Sequence, residues 1–279
     1  MSKKTLENFL PTLPVFKEND FSLISPIWET HCHLDMLKET DVNELILKLN
    51  AIGVEKVTTI ATSKKNFQKV CDFAGQYESV HFTLGTHPHE AKDFSESDFK
   101  FIKDKFNETK KLIAVGEIGL DYYYDFSPRD KQIEALEKQL QLSIDLGLPV
   151  VIHNRDSDED MISVLKNFNG KVRGVIHSFS SGEELAEAAL DLGFYLGFNG
   201  MATFKTAENV RSAIENCPLE RILIETDAPF LTPTPFRGRE NNSGFLPIIA
   251  QKVIDLKGVD PLVGLQTIFE NSKNCFSRS

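Results

Sequence analysis

Short apolar runs rich in valine and isoleucine recur along the chain, at residues 26–30, 54–61, 80–85, 112–117, 149–153, 172–177, 194–198 and 221–226. Each is followed by a polar segment whose apolar positions repeat at helical spacing, the alternation of repeated strand–helix units. After Thr40, residues Val42, Leu45, Ile46 and Leu49 fall on one helical face, and Gly53 follows as a stop. Ile133, Leu136, Leu140 and Ile144 line one side of another helix up to Gly147, and Gly193 follows a helix over 185–192. Ser95 with Asp98, and Ser181 with Glu184, have capping-box spacing; Ser127-Pro128 puts proline at the first helical position. Eight such units predict parallel strands joined by helical crossovers. Closure into a single-domain (β/α)8 TIM barrel removes both sheet edges and is the favoured architecture, with an open doubly wound sheet as the alternative.

A chain of 279 residues is enough for one such barrel and calls for no second domain. Residues 1–25, with Pro11, Pro14 and few periodic apolar positions, are expected to form an N-terminal extension to a barrel domain over 26–279. With 41% hydrophobic and 26% charged residues, the composition is that of a globular protein and excludes disordered and fibrous classes. No stretch approaches the apolar length of a membrane span, and the N-terminal residues lack a signal-peptide apolar run. Cys32, Cys71, Cys217 and Cys275 lack paired spacing, which argues against a disulfide framework and for the cytoplasm. The net charge of -10 gives no general attraction to nucleic acid. A polynucleotide substrate would need a local basic rim or a bound metal to offset phosphate repulsion.

In a parallel barrel the loops after the strands share one face, so residues at strand ends converge there. Six of the seven histidines, all but His81, fall at or just after such ends. His31 and His33 lie two apart, where strand alternation points both side chains one way and Cys32 the other. Glu117, His153, His177 and Asp227 close other strands. Imidazole and carboxylate donors without paired cysteines suit zinc, manganese, magnesium or iron in an open catalytic site. The expected arrangement places His31, His33, Glu117 and Asp227 around one ion, with Glu117, His153 and His177 around another, Glu117 giving one oxygen to each. Glu29 and Glu225 share strand parity with His31 and Asp227 and are expected to hold ligands in place or to form a buried pair. His87, His89, Arg155, Lys205, Arg237 and Arg239 lie near the same mouth and offer groups for a phosphate; His87 and Arg155 are the preferred pair. Tyr122, Tyr123, Tyr124 and Phe126 can either stack on bases or pack against the following helix.

Six motifs resemble the TatD family of metal-dependent hydrolases: Thr30-His31-Cys32-His33-Leu34-Asp35, Thr86-His87-Pro88-His89, Gly116-Glu117-Ile118-Gly119-Leu120-Asp121-Tyr122, Val151-Ile152-His153-Asn154-Arg155, Ile176-His177-Ser178-Phe179-Ser180 and Glu225-Thr226-Asp227-Ala228-Pro229-Phe230-Leu231. The match runs from about Ile27 to the C-terminus. The resemblance implies a TIM barrel of the amidohydrolase superfamily and one or two divalent metal ions. It also implies His31, His33, Glu117, His153, His177 and Asp227 as ligands, and a deoxyribonuclease acting from the 3′ end of single-stranded DNA. Glu29 stands where the family usually has aspartate and Ser178 where cysteine is common. The loop from Arg237 to Ser243 lacks the proline usual after its asparagine, and the N-terminal arm is longer than is typical. None of these departures touches an expected ligand; they bear on substrate preference or assembly.

Phosphodiester hydrolysis can require accelerations as large as ~10^21, whereas a general base supplies ~10^2 to 10^4, so metal-activated water is the expected nucleophile. Asp227 is expected to accept the proton of that water, with His87 or Arg155 stabilising the added charge. One rival keeps the metal site but cleaves an acyl bond, as a deacylase or amidase acting on a small molecule or an aminoacyl nucleotide. Another is a catalytically silent binding or scaffold barrel that holds no metal.

Overall fold

Each apolar run becomes a strand because its side chains are buried on both faces, as parallel sheets covered by helices require. The structure, a computed structural model, describes residues 5–18, 20–168 and 170–278. Among these, the strands are β1 (Ile27–Cys32), β2 (Val54–Ile60), β3 (Val80–Leu84), β4 (Leu112–Asp121), β5 (Val150–Arg155), β6 (Gly174–Ile176), β7 (Tyr195–Phe198) and β8 (Ile222–Ile224). They pair in parallel in sequence order. Closure comes from a Cys32–Ala228 bridge and from Thr30 Oγ1 donating to the Ile224 carbonyl at 2.9 Å. The chain is a single-domain (β/α)8 TIM barrel, as the pattern predicts. The helices are α1 (Leu6–Phe9), α2 (Val42–Ile52), α3 (Lys64–Gln76), α4 (Glu96–Glu108), α5 (Arg129–Leu146), α6 (Asp158–Phe168), α7 (Glu183–Asp191), α8 (Glu208–Asn216), α9 (Leu246–Lys257) and α10 (Pro261–Phe276). None is long and apolar enough to cross a membrane.

The N-terminal end of the barrel interior is filled by Trp28, Ile113, Val151, Val175 and Leu223, with Phe269 and Phe276 of α10 beneath them. Leu10, Val15, Phe16 and Leu23 of the expected N-terminal extension are buried. Val15 N donates to Gln251 of α9 at 3.1 Å, and Leu23 N to the Ile52 carbonyl at the end of α2 at 2.8 Å. The first four residues of that extension lie outside the described residues.

Local punctuation is read correctly at α2, where Gly53 takes a left-handed conformation (φ 99°), and at α4, where Ser95 and Asp98 form a capping box. Three details differ. Pro128 is the N-cap of α5 and Arg129 its first residue. Gly182, not Ser181, caps α7, because Ser181 Oγ accepts from Asn154 Nδ2 at 3.0 Å and is committed to the neighbouring loop. Strand β4 runs past Glu117 to Asp121, because its ladder with β5 continues through Gly119 opposite His153 to Asp121 opposite Arg155. That extension carries Asp121 into the site. Gly119 makes the approach possible: at φ 150° its Cβ would stand 1.9 Å from the His153 carbonyl.

Candidate metal centre

Glu117 lies at the middle of the C-terminal face, buried, with its two oxygens facing different imidazoles. Oε2 is 3.7 Å from His31 Nε2 and 3.9 Å from His33 Nε2. Oε1 is 2.7 Å from His177 Nε2, 3.1 Å from His153 Nδ1 and 3.5 Å from His87 Nε2. Asp227 completes the first group, its Oδ1 standing 3.7 Å from His31 Nε2 and 3.6 Å from His33 Nε2. All six residues proposed from sequence as ligands therefore meet in one place. They line, or lie beneath, a cleft of about 1450 Å³.

The outward-facing nitrogens anchor the rings. His33 Nδ1 is 3.2 Å from the Ile60 carbonyl and His153 Nε2 is 3.0 Å from Asp121 Oδ2, so each ring can donate an N–H there and keeps its other nitrogen on the Glu117 side. His177 Nδ1 faces Glu225 Oε1 at 3.4 Å. Although His177 Nε2 is close to Glu117, its N–H direction misses the oxygen, and neither ring nitrogen makes a hydrogen bond. His31 and His33 approach at 3.4 Å, Nε2 to Nε2, and His31 stacks on His177 with centroids 3.8 Å apart. Around Glu117 Oε2 the separations of 3.4–3.9 Å exceed the usual hydrogen-bond length and come near the roughly 3.4 Å between ligands of a tetrahedral ion with bonds of ~2.1 Å. Glu117 Oε1 lies closer to His177 and His153, at 2.7 and 3.1 Å. The donor set fits a divalent cation.

Charge follows the same layout. Burial alone would raise the Glu117 carboxyl, but His177, His87 and His153 hold it well below the usual carboxylate range. Burial and the neighbouring His177 push the His31 imidazole well below its ordinary value. Burial also lowers His87, to about 4, so its ring is neutral at pH 7. His87 Nδ1 accepts from His89 N at 3.2 Å, which places the ring proton on Nε2, the nitrogen 3.5 Å from Glu117 Oε1.

Several supporting residues are not singled out by the sequence reading. Asp121 Oδ2 accepts from His89 Nε2 at 2.9 Å as well as from His153, while its Oδ1 accepts from the backbone of Tyr123 and Tyr124. Gln132 of α5 is buried and grips that corner: its Oε1 accepts from Asp121 N at 2.8 Å, and its Nε2 donates to the Asp121 and Ser127 carbonyls at 3.1 and 2.8 Å. Gln139, two turns on, pairs both ways with the backbone of Thr86, next to His87. The available signal was polar residues on the apolar stripe that carries Leu136 and Leu140. Glu29 and Glu225 behave as expected of buried supports. Glu29 accepts from Thr226 N, Thr226 Oγ1 and His31 N, tying β1 to the Asp227 loop, and burial raises its carboxyl to about 8. Glu225 accepts from Ser178 N at 2.6 Å.

The expected phosphate contacts divide. His87, His89 and Arg155 line the cleft. Lys205 and Arg237 do not, nor does Arg239, among the described residues. Arg237 lies over the Phe204 ring at 4.1 Å and donates to the Thr232 carbonyl, because its loop folds back on itself. Lys205 is exposed just beyond Phe204. Tyr122 packs, donating to Asp160 Oδ2 at 2.6 Å, whereas Tyr123, Tyr124 and Phe126 are exposed.

Comparison with known proteins agrees with this geometry. The family model described as TatD related DNase matches residues 29–277. The chain is 35% identical over 254 residues to YabD of Bacillus subtilis (strain 168), an uncharacterized metal-dependent hydrolase, covering 90% of this chain and 98% of that protein. It is 33% identical over 227 residues to the 3'-5' ssDNA/RNA exonuclease TatD of Cronobacter sakazakii, covering 79% and 86%. The crystal structure of YjjV, a TatD homologue from Escherichia coli K12, superposes with a TM-score of 0.83 at 29% identity, covering 90% and 97%. The motifs at the strand ends, the barrel and these relatives agree, and the chain belongs to the TatD family of metal-dependent hydrolases.

Proposed function

We propose that this protein is a phosphodiesterase acting on single-stranded nucleic acid, a deoxyribonuclease that shortens DNA from its 3′ end. The observation that carries the reading is the division of Glu117: one oxygen faces His31 and His33, the other His177, His153 and His87. That division would let Glu117 serve two sets of donors, and divalent cations held there would supply the charge that displacement at phosphorus needs. The first would be held by His31, His33, Glu117 and Asp227, the second by Glu117, His153 and His177. The relative named as a 3'-5' ssDNA/RNA exonuclease supports the choice of substrate.

Bound divalent metal polarises the phosphoryl oxygens and acidifies water in the cleft. The chain's own residues do the rest. Asp227, the least buried member of its group, faces the cleft and accepts the proton lost by the attacking water. His87, neutral and with its proton on Nε2, donates a hydrogen bond to a phosphoryl oxygen. Arg155, at the cleft wall, adds a fixed positive charge. Glu29, Glu225, Asp121 and Gln132 keep these groups in register.

The test is a 5′-labelled 10-nucleotide DNA incubated with protein and Mg, Mn or Zn, followed on a sequencing gel. A ladder of 3′-shortened products that chelation abolishes is expected. No cleavage of DNA or RNA, alongside hydrolysis of simple acyl esters, would overturn the proposal.

A further inference from the structure

Eight large apolar side chains stand exposed among the described residues; two of them, Tyr124 and Phe230, line this cleft, and Tyr123 and Phe126 are on the same loop as Tyr124. Tyr123, Tyr124 and Phe126, on the loop after β4, are 59%, 47% and 59% exposed; Phe230, on the loop after β8, is 53% exposed. Apolar surface gathered at the rim of a polar cleft marks a binding site. The two groups adjoin different imidazoles: Phe230 is next to His33, which faces Glu117 Oε2, and the other group is next to His89, linked through Asp121 to His153 on the Oε1 side. Phe230 meets the His33 ring edge-on at 6.2 Å, beside Asp227. Tyr124 and Phe126 stack at 5.5 Å and 22°, and both meet His89 edge-on, one His–Asp–His link from Glu117.

The loop is built to present its rings. Asp121 accepts from Tyr123 N and Tyr124 N, and the Arg155 guanidinium lies 4.1 Å over Tyr123, so the loop cannot fold its rings inward without breaking those contacts. Long-range attraction for phosphates is weak here. Arg129 and Arg155 share the cleft wall with Glu90, Asp156, Glu159 and Asp160. Stacking of bases on aromatic rings does not depend on net charge and accepts any base.

We infer that Phe230 and the Tyr124–Phe126 pair form an aromatic clamp taking the two unpaired bases on either side of the scissile phosphodiester. The inference rests on the phosphodiesterase reading above. Each ring surface needs a base turned out of a stack, so the clamp selects single strands and rejects paired ends. Because few cations of the chain meet the substrate, affinity is expected to depend weakly on salt. With two arginines contributing, the slope of log K against log[salt] stays shallower than roughly -1.5.

The test separates binding from cleavage. Fluorescein-labelled, phosphorothioate-linked dT10, which resists hydrolysis, is titrated by anisotropy in Mg²⁺ against wild type, Phe230→Ala and Tyr124→Ala/Phe126→Ala. Each variant is expected to bind about 10-fold or more weakly, at roughly one stacked base lost. The same oligonucleotide with abasic residues at its 3′ end is expected to bind wild type and variants alike, which a misfolded loop would not produce. Unchanged affinity in both variants, a loss equal for dT10 and the abasic strand, or no binding of dT10 by wild type overturns the clamp. Binding that follows this pattern, with ordinary dT10 left uncleaved, supports the clamp and overturns the nuclease reading alone.

Discussion

Gln132→Leu puts a measurable load on a single buried side chain. The residue is fully buried and makes three hydrogen bonds, to Asp121 N, Asp121 O and Ser127 O. Leucine fits the volume but leaves one donor and two acceptors unpaired in a place water does not reach. At ~1–3 kcal/mol for each stranded group, the loss is about 3–9 kcal/mol, of which the added apolar burial returns ~1–2 kcal/mol. A net destabilisation of about 1–8 kcal/mol is expected, a large share of the ~5–15 kcal/mol typical of a folded domain. Urea unfolding followed by circular dichroism measures it as a shift in midpoint at constant slope. Gln132→Glu is the companion: it keeps the acceptor for Asp121 N but turns an oxygen toward two carbonyls, so it is expected to lose stability as well. Because Asp121 holds His89 and His153, turnover falls in both variants under conditions where they remain folded. Stability of Gln132→Leu within about 0.5 kcal/mol of wild type would refute the reasoning.

Other expected outcomes concern separate parts of the molecule. Gly119→Ala forces a methyl group onto the His153 carbonyl at a φ that L-residues avoid, so it is expected to cost several kcal/mol, on the order of ~3, and to halve or worse the yield of folded protein at 37 °C. Asp227→Asn would take away the proposed proton acceptor and one proposed ligand together, and is expected to lower kcat for hydrolysis by about 10^2-fold or more with the circular-dichroism spectrum unchanged. His81, far from the cleft and packed near Trp28, is held down to about 4 by burial and by Lys56. The unfolded chain titrates near 6.5, so between those values it binds the extra proton and folding weakens as pH falls. Wild type is expected to lose up to about 3 kcal/mol more than His81→Gln between pH 7 and pH 4, the upper limit for a ring that retains some solvent contact; equal losses would remove His81 as the cause.

His31 and His33 were legible because strand periodicity alone pairs them, and their Nε2 atoms do meet at 3.4 Å. The barrel was legible because most strand positions are buried on both faces, so the strands read as recurring runs rich in valine and isoleucine, even though β1 and β2 carry polar residues. Asp121 was not recognised as a structural support, since nothing in the composition of Ile118-Gly119-Leu120 says that the ladder with β5 continues past Glu117. Gln132 and Gln139 work through backbone groups of distant loops, and such partners have no sequence spacing. Lys205 and Arg237 show how loops redirect side chains. Position after a strand placed them near the mouth, but the turn of each loop decides where a long side chain goes, and Arg237 turned onto Phe204. Exposure of Tyr124, Phe126 and Phe230 likewise depends on loop conformation, which residue order alone does not determine.

The central claim, that the strand-end side chains grip divalent cations around a shared Glu117, is tested most directly by anomalous diffraction from crystals soaked in manganese. Anomalous density is expected on both sides of the Glu117 carboxylate, one peak within ~2.2 Å of donors from His31, His33 and Asp227 and the other against His153 and His177. Fully occupied manganese elsewhere, with no density within reach of Glu117, would contradict it.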